Sequence, residues 1–125
     1  MNLISKLTMV TSSPLYDLIL EGGIRMAKMI VTYNEPINKE GFEAHYFNVH
    51  IPLAQKMPFV RNVSVHKVKQ AMNTNENLYM IVEVEFGNIQ ELNQALESPE
   101  GQEVSGDAVN LMPFLDKAPV IMIVE

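Results

Sequence analysis

Leu78-Tyr79-Met80-Ile81-Val82-Glu83-Val84-Glu85-Phe86 is the run around which the rest of the chain arranges itself. Its residues are β-branched, aromatic or long and apolar, and they alternate. Met80, Val82, Val84 and Phe86 lie on one side, Tyr79, Ile81, Glu83 and Glu85 on the other. Side chains of a strand alternate between faces, so this run predicts a strand with one buried and one mixed face. On its N-terminal side the polar, Asn-rich stretch Ala71 to Asn77 reads as a hairpin loop, and Val60 to Gln70 as the strand before it.

The same reading extends in both directions. Lys28 to Tyr33 is β-rich and bounded by Asn34 and Pro36, which predicts a first strand. Asn38 is a helix cap, and Phe42, Tyr46, Val49 and Leu53 form an apolar stripe at helical period. Pro52 inside that stripe removes a backbone donor and predicts a kink near Asn48 to Pro52; Pro58 ends the helix. After the central strand, Ile89, Leu92 and Leu96 mark a second helix. Ser98 and Pro99 restart it as cap and first helical residue, and Val104, Ala108 and Leu111 continue the stripe. Ala118 to Val124 is a last apolar strand. The order β-α-β-β-α-β predicts an α+β, ferredoxin-like domain: a four-stranded antiparallel sheet with both helices on one face. The other sheet face is then bare. A bare apolar face implies an interface, so a homodimer packing sheet on sheet is expected, closed into a dimeric α/β barrel. The alternative is a monomer whose residues 1–25 cover the sheet.

Composition narrows the function. The chain has 125 residues, 47% hydrophobic and 19% charged, with a net charge of −6. That is one globular domain with a short appendage, and an acidic one, without the basic footprint of a nucleic-acid partner. The longest apolar run, Val120 to Val124, is far too short for a membrane span. With no cysteine there is no disulfide, thiolate nucleophile or Cys metal site. A cytoplasmic protein is expected, with chemistry resting on His, carboxylates or Tyr. Residues 1–25 differ from the rest. Glu21-Gly22-Gly23-Ile24-Arg25-Met26 can be encoded by a purine-rich run directly ahead of an ATG, so the natural start is expected at Met26 and residues 26–125 form the domain. The alternative is a true N-terminal arm.

Three histidines are candidates for chemistry: His45, His50 and His66. His45 and His50 are five apart, which on an α-helix puts them about 140° apart, on different faces. The i, i+4 spacing of helical metal sites is absent, and no metal is expected. His50 lies one turn beyond Tyr46, at the expected kink, where a tunable imidazole suits acid–base work; the competing reading is a His satisfying backbone groups freed by Pro52. Asp107 follows Val104 by three and precedes Leu111 by four, at the edge of the second stripe, where it can cap or orient a His. Glu83 and Glu85 are read as forming salt bridges with Lys67, Lys69 or Arg61, with His66 beside them. The nine Met are read as core filling.

Tyr46-Phe47-Asn48-Val49-His50-Ile51-Pro52-Leu53, with Pro58 after it, resembles the Tyr/Trp-x-x-x-His-x-Pro-Leu motif of EthD-like proteins. Val84-Glu85-Phe86, Ser98-Pro99-Glu100-Gly101, Asp107 and Asn110 resemble that family's second half, and Met26 to Val31 its usual beginning. The likeness spans residues 26–125. Leu111 stands where an aromatic is common, and Gly87-Asn88 replaces an Asp-Ser type pair, departures that bear on the shape of the pocket. The resemblance implies a dimeric α/β barrel in a superfamily of cofactor-free monooxygenases, haem-degrading enzymes, isomerases and cyclases. It implies a ligand cleft between helices and sheet, with His50 as the motif His and Asp107 as the motif Asp. The expected function is a cofactor-independent enzyme acting on a small cyclic or aromatic carbonyl compound. His50 moves a proton, Asp107 orients it and Tyr46 donates a hydrogen bond. The alternatives are a non-catalytic small-molecule-binding or stress-response homodimer, and a haem-handling protein.

Overall fold

The computed structural model describes residues 25–125. The extension expected ahead of Met26 lies, Arg25 apart, outside the described residues. The elements run β1 (Ala27–Asn34), α1 (Lys39–His45), a π-helical turn (Tyr46–His50), α2 (Ile51–Gln55), β2 (Asn62–Lys67), β3 (Leu78–Phe86), α3 (Ile89–Glu97), α4 (Pro99–Asp107) and β4 (Val120–Val124). Two 3₁₀ turns, Ala108–Asn110 and Met112–Phe114, lead into β4. The strands lie in the order β2-β3-β1-β4, every neighbour antiparallel. Each helical crossover therefore skips one strand, which is the ferredoxin-like topology.

Local sequence accounts for the element ends. Asn38 accepts from the Gly41 N–H at 2.9 Å, Asn88 from that of Glu91 at 2.8 Å and Ser98 from that of Gly101 at 3.0 Å. Each bond satisfies one of the donors that a helix start leaves open. Pro99 takes the first helical position of α4, where its missing N–H costs nothing.

The core lies between helices and sheet. Met80, Val82, Val84 and Phe86 of β3 are buried, as the alternation predicts, against Phe42, Tyr46, Leu92 and Leu111. Burying a side chain of this size contributes about 1.5–3 kcal/mol. Gly101 is required where α4 meets the end of α3: a Cβ there would lie 2.1 Å from the Ala95 carbonyl oxygen. No described helix is long and apolar enough to cross a membrane.

Four expectations change in detail. β2 is shorter than Val60 to Gln70, although Arg61 and Val68 still donate to the Glu85 and Tyr79 carbonyls, both at 2.8 Å. Val49 is exposed rather than inward, because the π-helical turn moves the stripe to Phe42, Tyr46, Ala54 and Met57. Glu83 pairs with Lys28 at 3.1 Å, whereas Lys67 reaches Glu43 at 2.7 Å. The reason is register: Val65 lies opposite Val82, so Lys67 faces the helices and Glu83 the opposite side. Finally, the helices stop short of β4, and its residues are exposed on both faces, Ile121 at 60% and Met122 at 41%.

Candidate active site

Pro52 has no N–H to continue the α-helical ladder, and its ring crowds the preceding turn. The chain accommodates this one turn earlier. The Ile51 N–H bonds to the Tyr46 carbonyl, five residues back, which widens the turn Tyr46–His50. Pro52 then falls in the first turn of α2, where it is tolerated.

The widened turn corrects the reading of the two histidines. Five residues span about one π-helical turn, so His45 and His50 share a face instead of opposing one another. Both reach Asp107, the last residue of α4. His45 Nε2 lies 2.8 Å from Asp107 Oδ1 and 3.0 Å from Oδ2, and His50 Nδ1 lies 2.9 Å from Oδ2. Asn110 Nδ2 donates to Oδ1 at 2.9 Å. Asp107 is buried, with 8% of its side chain exposed. Burial alone would raise its carboxyl, but the bonds from Asn110, His50 and His45 outweigh that and hold it below the ordinary carboxylate value.

Tautomers follow from this. An ionised carboxylate only accepts, so each facing ring nitrogen carries the proton. His50 donates from Nδ1 and keeps the Nε2 lone pair free; His45 donates from Nε2. A buried carboxylate fixing one imidazole tautomer is the arrangement that makes the far nitrogen a base.

Tyr46 lies behind His50, not in front of it. The rings stack with centroids 5.3 Å apart and 23° between planes, and Phe42 stacks on the other side of Tyr46 at 5.0 Å. The Tyr46 hydroxyl bonds that of Tyr33, and burial pushes both phenols above their ordinary value, so both remain protonated.

His50 and Tyr33 open onto a cavity of about 120 Å³ between helices and sheet. Met29, Met57, Leu96 and Val104 make its walls apolar, and the exposed Ile121 of β4 closes its outer side. Tyr33, rather than Tyr46, supplies the lining phenol. A second, open polar depression of about 410 Å³ lies beside the β2–β3 loop. Three of its four charges are paired, Lys39 with Glu35 at 3.0 Å and Glu76 with Lys117 at 2.8 Å. His66 is exposed on β2, opposite Ile81, away from either space. Among the described residues, no group of three or more His, Asp or Glu is arranged to hold a metal ion.

An antiparallel four-stranded sheet with split crossovers and an apolar cleft beneath its helices defines a ferredoxin-like small domain. Residues 34–115 match the EthD domain, and the chain belongs to the EthD family. It is similar to an EthD family protein of Bacillus halodurans C-125, at 33% identity and a TM-score of 0.70, over 80% of this chain and 97% of that one. An uncharacterised 11.0 kDa protein from the thcB–thcC intergenic region of Rhodococcus erythropolis is 29% identical over 102 residues, 77% of this chain and 99% of the relative. A dimeric ferredoxin-like protein of unknown function from Bacteroides fragilis shares the fold at 18% identity and a TM-score of 0.53, over 80% of this chain and 95% of that one.

Proposed function

We propose that the protein is a cytoplasmic homodimer whose cleft binds a small cyclic or aromatic carbonyl compound, and that His50 moves a proton on it without a cofactor. The observation that carries this reading is the hydrogen bond that His50 Nδ1 donates to a buried, ionised Asp107, with the same ring lining an apolar cavity. His50 Nε2 takes the proton α to the carbonyl, and the electron pair passes to the carbonyl oxygen as an enolate. Tyr46 donates to the Tyr33 oxygen, which frees the Tyr33 proton for that enolate. Tyr46 thus serves by holding the His50 ring and the Tyr33 hydroxyl in place.

Cavity size restricts the ligand. A cavity of about 150 Å³ holds one benzene, so about 120 Å³ has room for no more than a single small ring. A tetrapyrrole needs several times that space, which argues against haem. The dimer is supported by the bare sheet face, where Ile30, Ile81 and Met122 lie in adjacent strands around the Lys28–Glu83 pair. The dimeric relative of the same fold also favours it.

The test is exchange of the α-protons of cyclohexanone and related single-ring ketones into D₂O, followed by NMR. Wild type should accelerate exchange, and His50→Asn should lower the rate by about 10²–10⁴-fold. Binding of these ketones with no exchange would replace the enzyme with a non-catalytic binding protein.

A further inference from the structure

His45 is the more exposed of the two histidines on Asp107. A quarter of its side chain is exposed, against 12% of that of His50, and Asp107 lies between them. Its Nε2 straddles both carboxylate oxygens, so it competes directly with His50 for the same negative charge. Nδ1 of His45 has no hydrogen-bond partner among the described residues and is free to take a proton. That proton would stabilise His45 against Asp107 and oppose a second positive charge on His50.

We propose that His45 is a positioning residue of the site: by sharing Asp107 it restrains protonation of His50 and keeps the His50 Nε2 available as a base as the pH falls. The inference rests on the reading of His50 as the base. The other polar groups facing the pair do not confuse the assignment. Among the described residues they are Tyr46 from the widened turn, Tyr33 from β1, Ser105 of α4 and Asn110 beyond it, and none of them gains or loses charge in the range where histidine titrates. Met57 and Ile121, facing the cavity from beyond α2 and from β4, are neutral. The pairing also gives the π-helical turn a purpose, since it brings residues five apart onto one carboxylate.

The test needs no substrate. Ring ¹⁵N shifts of the three histidines are followed by NMR against pH in wild type, His45→Gln and Asp107→Asn. Gln keeps an N–H donor near Asp107 and cannot take a charge. His50 should then bind its proton about tenfold more tightly, a rise of about one pH unit in its midpoint. In Asp107→Asn the midpoint should fall. In wild type, each of the two ring curves should show a second inflection at the other's midpoint, a result that does not depend on how any variant folds. Independent single-step curves, or an unmoved His50 midpoint in a folded His45→Gln, overturn the proposal. Failure of ketone exchange would remove the enzymatic reading and leave this coupling measurable, so the two fail separately.

Discussion

Replacing Asp107 by Asn should unmake the centre of the site while keeping its shape. In the native protein the carboxylate accepts from His45 at 2.8 and 3.0 Å, from His50 at 2.9 Å and from Asn110 at 2.9 Å. Bonds to a charged acceptor each contribute about 1.5–3 kcal/mol net. Asn keeps one accepting oxygen and presents an amide N–H₂ where two ring N–H groups already point. One ring can switch tautomer and accept instead, which recovers part of the loss. The net cost should be about 3 kcal/mol, at the low end for breaking a buried charge pair. For a domain near this size that lowers the thermal midpoint by roughly 10–20 °C. The effect has a definite pH signature. The folded carboxyl is held below its ordinary value of 3.8, so its contribution is complete above that pH and is lost as the pH falls through the folded value. Urea unfolding of both proteins, at one concentration because any pairing of subunits would add a concentration dependence, should show the gap at pH 7 and its closing below pH 3.8. A gap under about 1 kcal/mol at pH 7, or one that persists unchanged in acid, would refute the charge-centred account of the cluster.

The two glycines of α4 should respond in opposite directions. Gly101→Ala forces a methyl to within 2.1 Å of the Ala95 carbonyl and 2.7 Å of that of Leu96, so α4 must shift, at a cost of about 1–3 kcal/mol. Gly106→Ala meets nothing within 4 Å and should add about 0.5–1 kcal/mol through helix propensity; equal effects in thermal unfolding would sink the packing argument. Met122→Asp puts a charge into the bare sheet face opposite Ile30 and should halve the mass in sedimentation. An unchanged mass would show that the subunits, if paired, meet elsewhere.

Much of the fold is legible because its signals are local. The alternation in β3 places Met80, Val82, Val84 and Phe86 inward without reference to anything else, and all four are buried. Asn38, Asn88 and Ser98 cap their helices through bonds to residues three positions on, so each is readable within a single turn. The misplaced details are tertiary. Pairing decides where β2 ends, and nothing within the strand marks that its ladder stops at Lys67. Lys67 could have met Glu83 as easily as Glu43 until the register assigned them to opposite faces.

The site is legible only in halves, and the reason lies in Pro52. The sequence marks an interruption there but not its form. A missing N–H can be absorbed by bending the helix or by widening the turn before it. Bending keeps the α-helical count, under which His45 points away from His50 and Val49 points inward. Widening turns Val49 out and His45 in. The choice depends on what the inward face meets, and that partner, Asp107, is 62 residues from His45 and 57 from His50. Once a buried carboxylate is present, the wide turn supplies it with two ring donors, whereas the bent helix supplies one and leaves the other accepting site short. A π-helical turn thus does for residues five apart what an α-helix does for residues four apart. A His at each end of such a spacing, with Pro two residues beyond the second, is the pattern in this chain from which the pairing could have been read.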